Sequence, residues 1–502
     1  MSKQITRRRL LASAGGLAGL ALGGTAGAVP PVANADELPV RWSRTYAPNR
    51  INGAVSALER DGQYVVLGTT GAESTQTSGW LYGVDATSGA GQWQTTVENT
   101  DLDRQPRFQT LVDAPDGDGF ALLGARLTEG VASLVRTGPQ GAVSWWEEYG
   151  VEGEEDGTFL SAALVPVEDG YFVCGSQLAG TSISAVVASV GLDGSERSRT
   201  VLFQNERSNL LDAVPDGQGG LIAVGQLQER TTSTTDRPQA RAVVVRLNPD
   251  LSVAWEREFT APSDGDSFQT NLLRAVTETS DGYAAVGTAA PEGGSSAQGW
   301  VLLLDDEGGE RASRLFDPRP VTSLTGVTEA SDGLTVVGQL AESATSTATT
   351  GWVAELDADG SGRWNRSLDP AATNNLVDVV ATSDDGVAAI GSVQAESRDA
   401  SPRSQGWLVK LGGEPAPSVT STPSEATDTP EPTPTDTPEP TPTDTPVPTA
   451  TPMVTTTPTR MLTETPDDGT TSGSGPGFGA VGAVTALGAG ALYRHLTADD
   501  AE

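Results

Sequence analysis

The residues able to do chemistry in this chain of 502 are few in kind. There is one histidine, His495, close to the end of the chain, and one cysteine, Cys174. A single histidine so placed removes a Ser-His-Asp triad, a histidine metal centre and a histidine general base from the body of the protein. A single cysteine removes any intrachain disulfide or thiolate metal site. Cys174 lies in the apolar run Tyr171-Phe172-Val173-Cys174 and reads as a small buried hydrophobe rather than a reactive thiol. Carboxylates are the abundant group, with 66 Asp and Glu. Two of them facing a pocket would suffice for glycoside hydrolysis, but no spacing singles out a pair. Asp357-Ala358-Asp359-Gly360 opens like a calcium loop, yet no third ligand and no bidentate glutamate follow in register. It reads as a hairpin turn. Asn365-Arg366-Ser367 is the one N-glycosylation sequon in the sequence and makes Asn365 a candidate modification site. No cofactor and no metal are expected.

The formal net charge is −35, and only Lys3 and Lys410 of the 31 basic residues are lysine. A nucleic-acid partner, or an anionic membrane bound by charge, needs a basic face and is not expected. Charge of this size self-repels where the Debye length is about 8 Å, and is largely screened where molar salt shortens it to about 3 Å. Near-absence of lysine beside abundant aspartate, glutamate and arginine resembles the proteins of extremely halophilic archaea.

Both ends of the chain carry addresses. Thr6-Arg7-Arg8-Arg9-Leu10-Leu11, followed by a Gly/Ala/Leu-rich stretch, resembles a twin-arginine export signal centred on Arg7 and Arg8. Small residues at Ala33 and Ala35 suit cleavage before Asp36, so residues 1–35 are read as a signal peptide. An uncleaved N-terminal anchor is the alternative. Residues 415–466 hold 18 threonines and 14 prolines, with the octapeptide DTPEPTPT at 428–435 and again at 436–443. Proline at this density blocks helix and sheet and favours extended polyproline II, in which 415–466 would reach about 160 Å, so residues 414–475 are read as a disordered stalk and spacer. Its threonines suit O-glycosylation. Pro476-Gly477-Phe478, an apolar run to Tyr493 and Arg494 then resemble the PGF-CTERM sorting signal of haloarchaeal surface proteins, which would span 476–502 and contain one short hydrophobic helix over 478–493. That resemblance implies an export translocase and an archaeosortase as processing partners, removal of the helix, and a lipid that holds the protein on the cell membrane. A retained helix is the alternative, although 16 residues are short for a span.

Between the ends, residues 36–413 repeat. A turn followed by a short apolar strand that reaches a glycine recurs as DGQYVVLG, DGDGFALLG, EDGYFVCG, GQGGLIAVG, SDGYAAVG, SDGLTVVG and DDGVAAIG. The glycines fall at 68, 124, 175, 225, 287, 338 and 391 and mark where the second strand should leave its sheet. A second apolar strand follows, as in GWVLLLD and GWLVKLG, and several units add a strand with Trp93, Trp145, Trp255 or Trp364. Seven units of four strands predict an all-β, seven-bladed β-propeller. The last unit lacks its tryptophan strand. Val40-Arg41-Trp42-Ser43-Arg44-Thr45-Tyr46, similar to Trp145-Trp146-Glu147-Glu148-Tyr149, is the spare strand that should complete it. The units resemble those of secreted prokaryotic and archaeal repeat propellers, a likeness silent on function.

Two enzyme resemblances are local. Tyr82-Gly83-Val84-Asp85-Ala86-Thr87-Ser88-Gly89 with Trp93 resembles the tryptophan-docking repeat of quinoprotein dehydrogenases, without their vicinal cysteines. Asp357–Gly360 also resembles a sialidase Asp box, with the wrong interval to its tryptophan. The expected function is a non-catalytic, lipid-anchored surface propeller that binds a glycan or another surface protein. A structural spacer of the envelope, a propeller hydrolase and a quinoprotein enzyme are the alternatives. The long second-to-third loops (226–240, 288–298, 339–350 and 392–405) and inter-blade connections share one face. Its candidate contacts are Arg104, Arg107, Phe108, Arg230, Arg237 and Phe268.

Overall fold

Where Asp-Gly interrupts two apolar runs, the chain reverses. Asp61 and Gly62 both take positive φ, 51° and 74°, between the paired residues Arg60 and Gln63. That geometry matches the right-handed twist of the strands it joins, and glycine adopts it without a Cβ penalty. Repeated along the chain, such turns build seven four-stranded antiparallel sheets. The computed structural model describes residues 37–413 apart from 74–75, 152–156, 230–238, 264–267, 293, 331–332, 372 and 398. Arg7, Arg8, Ala33, Ala35, the stalk and Pro476, Gly477 and Phe478 lie outside the described residues.

Blades 1 to 6 span residues 51–97, 107–149, 158–201, 206–259, 270–316 and 321–368. Blade 7 takes three strands from 373–412 and its fourth from Val40–Tyr46, which pairs antiparallel with Ser404–Gly412. The protein is therefore an all-β, seven-bladed propeller closed by its N-terminal strand. Seven hydrophobic clusters fill the seven seams between neighbouring blades, the last uniting blade 7 with blade 1. Cys174 lies fully buried in the seam of blades 3 and 4, where burial pushes its thiol far above its ordinary range.

Two outer tryptophans, Trp42 and Trp145, lean across the seams, whereas Trp93 and Trp364 hydrogen-bond within their own blades. Trp42 Nε1 donates to Ala86 O of blade 1 at 3.1 Å, and Trp145 Nε1 donates to Leu192 O of blade 3 at 3.1 Å. Each ring packs against a positive-φ turn glycine of the next blade, Gly89 or Gly194, so a Cβ there would meet the indole. A large ring beside a glycine is how one blade registers against the next.

The repeated glycines do something other than end a strand. The second strands run on past them, to Glu73, Glu229, Ala290, Ala341 and Gln394. Each glycine sits mid-strand opposite a β-bulge in the first strand, as Gly391 does opposite the shift between Leu376 and Asp378. A Cβ on Gly391 would lie 1.9 Å from Asn375 O, and one on Gly225 would lie 2.0 Å from Asn209 O. The bulge brings backbone against backbone, and only glycine leaves room.

Candidate functional site

In a meander of four strands, the first-to-second and third-to-fourth turns share one face, and the remaining connections share the other. On the second face, the second-to-third loops are short in blades 1 to 3, at 74–75, 127–130 and 180–181. They are long in blades 4 to 7, at 230–239, 291–297, 342–349 and 395–403. Strand pairing extends further than the sequence reading allowed, so each long loop is shorter than expected. The long loops nevertheless occupy four consecutive blades, which makes the face lopsided.

The two stretches that close the ring, 39–46 and Ser404–Gly412, meet on the opposite face at Pro39 and Gly412. The third strand of blade 7, Ser404–Gly412, starts from the 395–403 loop and finishes beside the short turns. Val40 pairs with Leu411 there, and Gly412 N donates to Pro39 O at 2.9 Å. Arg41 fastens the same corner through Nε to Gly412 O at 3.2 Å. Residue 413 therefore stands on the short-turn face, and Glu37 reaches from that corner to Arg366 on the outer strand of blade 6.

The six candidate contacts do not form one patch. Arg104, exposed in the connection between blades 1 and 2, donates to Thr128 Oγ1 at 3.3 Å. Arg107 is exposed at the start of blade 2. Phe108 is not on the face. It is 2 % exposed in the seam of blades 1 and 2, edge-on to Trp146 with ring centroids 5.8 Å apart. The bulge beside it turns Gln109 outward and Phe108 inward, a reversal that strand alternation does not announce. Arg230 and Arg237 lie outside the described residues. Phe268 is half-buried against the seam of blades 4 and 5, three blades from Arg104, and its carbonyl accepts Gln239 Nε2 at 2.6 Å.

The bulges gather a second constellation around the central channel. The bulged residue is apolar in four blades and is Gln109, Arg274 or Thr325 in blades 2, 5 and 6. One residue on, blades 4 and 7 carry Asp212 and Asp378, both partly open to the channel. Asp212 Oδ2 accepts the Val276 N–H of blade 5 at 2.8 Å. Asp378 accepts hydrogen bonds from Ser56 and Ala57 of blade 1 as well as its neighbour Val379 N–H. Hydroxyls serve the same purpose elsewhere, with Thr110 Oγ1 on Ala162 O and Thr325 Oγ1 on Leu376 O, each at 2.9 Å. Burial pushes the Asp212 carboxyl from 3.8 up to about 7, opposed by its backbone donors and helped by the Asp378 charge. Burial likewise raises Asp378 to about 6, and lowers Arg274 to about 10. The sequence reading missed this ring. Its signal was Asn209-Leu210-Leu211-Asp212 repeated as Asn375-Leu376-Val377-Asp378.

Two carboxyls that exchange protons near neutrality could serve acid–base chemistry. Their oxygens, however, are engaged by donors of the following blade at equivalent positions of the repeat, so they act as stitches between inner strands. Asp357 and Asp359 are similarly engaged within their turn. Gly360 takes a φ of +80°, its N–H donates to Asp357 O at 2.8 Å, and Ser361 N–H donates to Asp359 Oδ1 at 2.9 Å. It is a hairpin turn.

No family model matches the chain, and no curated protein matches it. Among solved structures, it is similar to the quinohemoprotein alcohol dehydrogenase of Comamonas testosteroni at 10% identity and a TM-score of 0.42, covering 77% of this chain and 78% of that one. The β-propeller domain of the Trilobed protease from Pyrococcus furiosus matches at 9% identity and a TM-score of 0.39, covering 74% and 96%. A subtype N10 neuraminidase-like protein of A/little yellow-shouldered bat/Guatemala/060/2010 matches at 10% identity and a TM-score of 0.36, covering 77% and 97%. These likenesses carry no functional argument.

Proposed function

We propose that this chain is a non-catalytic surface module of a halophilic archaeal cell, exported folded and held at the membrane by its processed C-terminus. Its long-loop face binds a glycan or another surface protein. The observation that carries the reading is the opposition of the two faces. Gly413, from which the stalk continues, stands on the short-turn face, and the long second-to-third loops stand on the opposite one. The engagement of Asp212, Asp378, Asp357 and Asp359 in hydrogen bonds of the fold supports a non-catalytic role.

Fractionation and intact-mass measurement of the native protein test the anchor: loss of residues past the tripeptide at 476–478 is expected, and a native chain retaining 480–502 overturns processing. Glycan-array and pull-down measurements on residues 36–413 in molar salt test the face. Binding should disappear when the four long loops are replaced by two-residue turns. Binding that survives the replacement refutes the loop face. No binding leaves the ring as an envelope spacer, and hydrolysis of an arrayed glycan makes it an enzyme.

A further inference from the structure

A different part of the ring carries a modification site. Four blades have an interior tryptophan on the third strand: Trp80, Trp300, Trp352 and Trp407, all nearly or fully buried. An indole N–H is a donor only and needs an acceptor when buried. In each blade that acceptor comes from the same place on the outer strand. Trp407 Nε1 donates to Ser43 Oγ and Trp300 Nε1 to Ser313 Oγ, both at 2.9 Å. Trp80 Nε1 donates to Gln94 Oε1 at 3.2 Å, and Trp352 Nε1 to Asn365 Oδ1 at 3.4 Å.

The repeat asks only for an acceptor, and serine meets the need twice. In blade 6 the acceptor is the asparagine of the sequon. Because Trp352 can only donate, it fixes which end of the Asn365 amide turns inward. The oxygen faces the indole, and Nδ2 is the amide's other arm. Asn365 is half-buried on Gly362–Leu368, the outermost strand of its blade, which pairs on one side only. Ser367, the third residue of the sequon, is exposed. The location is the side wall, away from the long loops, where Arg366 of the sequon pairs with Glu37 ahead of the closing strand.

We propose that Asn365 is an N-glycosylation site on the wall of blade 6, with its amide oriented by Trp352. In the transfer, Nδ2 forms a bond to the anomeric carbon of a lipid-phosphate-linked glycan. The bond from that carbon to the phosphate oxygen breaks, the lipid phosphate leaves, and one amide proton is released. Oδ1 stays free to accept the indole N–H, so attachment and clasp are compatible.

The test is peptide mass mapping of the full-length protein purified from the cells that make it. The peptide containing Asn365 should carry a mass increment equal to a whole number of sugar residues. Ser367→Ala should remove the increment without moving the thermal midpoint, because it leaves the clasp intact. Asn365→Ser should also remove it while keeping an acceptor of the kind found at Ser43 and Ser313. Asn365→Leu should remove it and lower the midpoint. An unmodified Asn365 in the native protein overturns the site, as does an increment that persists in Ser367→Ala.

Discussion

Blade 2 is made from one continuous stretch of chain, and blade 7 from two stretches joined only by hydrogen bonds, yet their outer strands are built alike. Val143-Ser144-Trp145 in one answers Val40-Arg41-Trp42 in the other. Tyr149 Oη donates to Gly194 O at 2.7 Å, and Tyr46 Oη donates to Gly89 O at 2.7 Å. Beneath the tryptophans, Arg136 is buried against Asp116 at 2.6 Å and Lys410 against Asp384 at 2.8 Å. The difference is burial. Trp42 is 7 % exposed, whereas Trp145 is only partly buried. A strand without a covalent neighbour is held by deeper packing of the same contacts. The closing blade also holds Lys410, the one lysine among the described residues, which is buried rather than solvated.

Deleting residues 36–47 should have the largest effect, because it opens two edges and empties half of a seam. The ring is expected to lose its single cooperative thermal transition in molar salt. An unchanged transition would show that blade 7 closes without this strand. Next, Trp42→Ala should cost about 3 kcal/mol and the less deeply buried Trp145→Ala less, measured by denaturant titration. Equal losses would erase the contrast between the two blades. Lys410→Met should cost about 2 kcal/mol, since Asp384 keeps a bond from Thr382 but loses its buried cation. Ser43→Ala, which strips the acceptor from Trp407 Nε1, should cost about 1 kcal/mol.

A pH-dependent effect separates the inner ring from the outer one. Asp212 and Asp378 hold protons in the fold that the unfolded chain releases, because burial raises both above 3.8. Their contribution is therefore greatest below pH 4 and falls as pH rises toward about 6 for Asp378 and about 7 for Asp212. In Asp212→Asn/Asp378→Asn that fall should vanish from a plot of thermal midpoint against pH. A slope identical to the parent would mean that the channel carboxyls titrate as they do in water.

Much of this architecture is legible because it rests on local rules repeated seven times. Asp-Gly turns, apolar runs of strand length and the spare Val40–Tyr46 strand fix blade count and closure without any long-range information. The glycines were seen and misread, since a bulge is a relation between two strands and leaves no mark on one. Phe108 was misplaced for the same reason: the one-residue shift after it reverses the facing of the strand. Asp212, Asp378 and Arg274 are scattered over 167 residues, and only ring closure sets them round one channel.

The sequence by itself determined the strand period, the turns, the number of units and the strand left over to complete the last one, because these follow from backbone sterics and alternating burial within each unit. Only the tertiary structure decided that the C-terminal end of the ring opposes the long loops, that four tryptophans draw on four outer-strand acceptors, and that two carboxyls stitch the inner ring. Those are contacts between units, and their geometry exists only once the seven blades have closed.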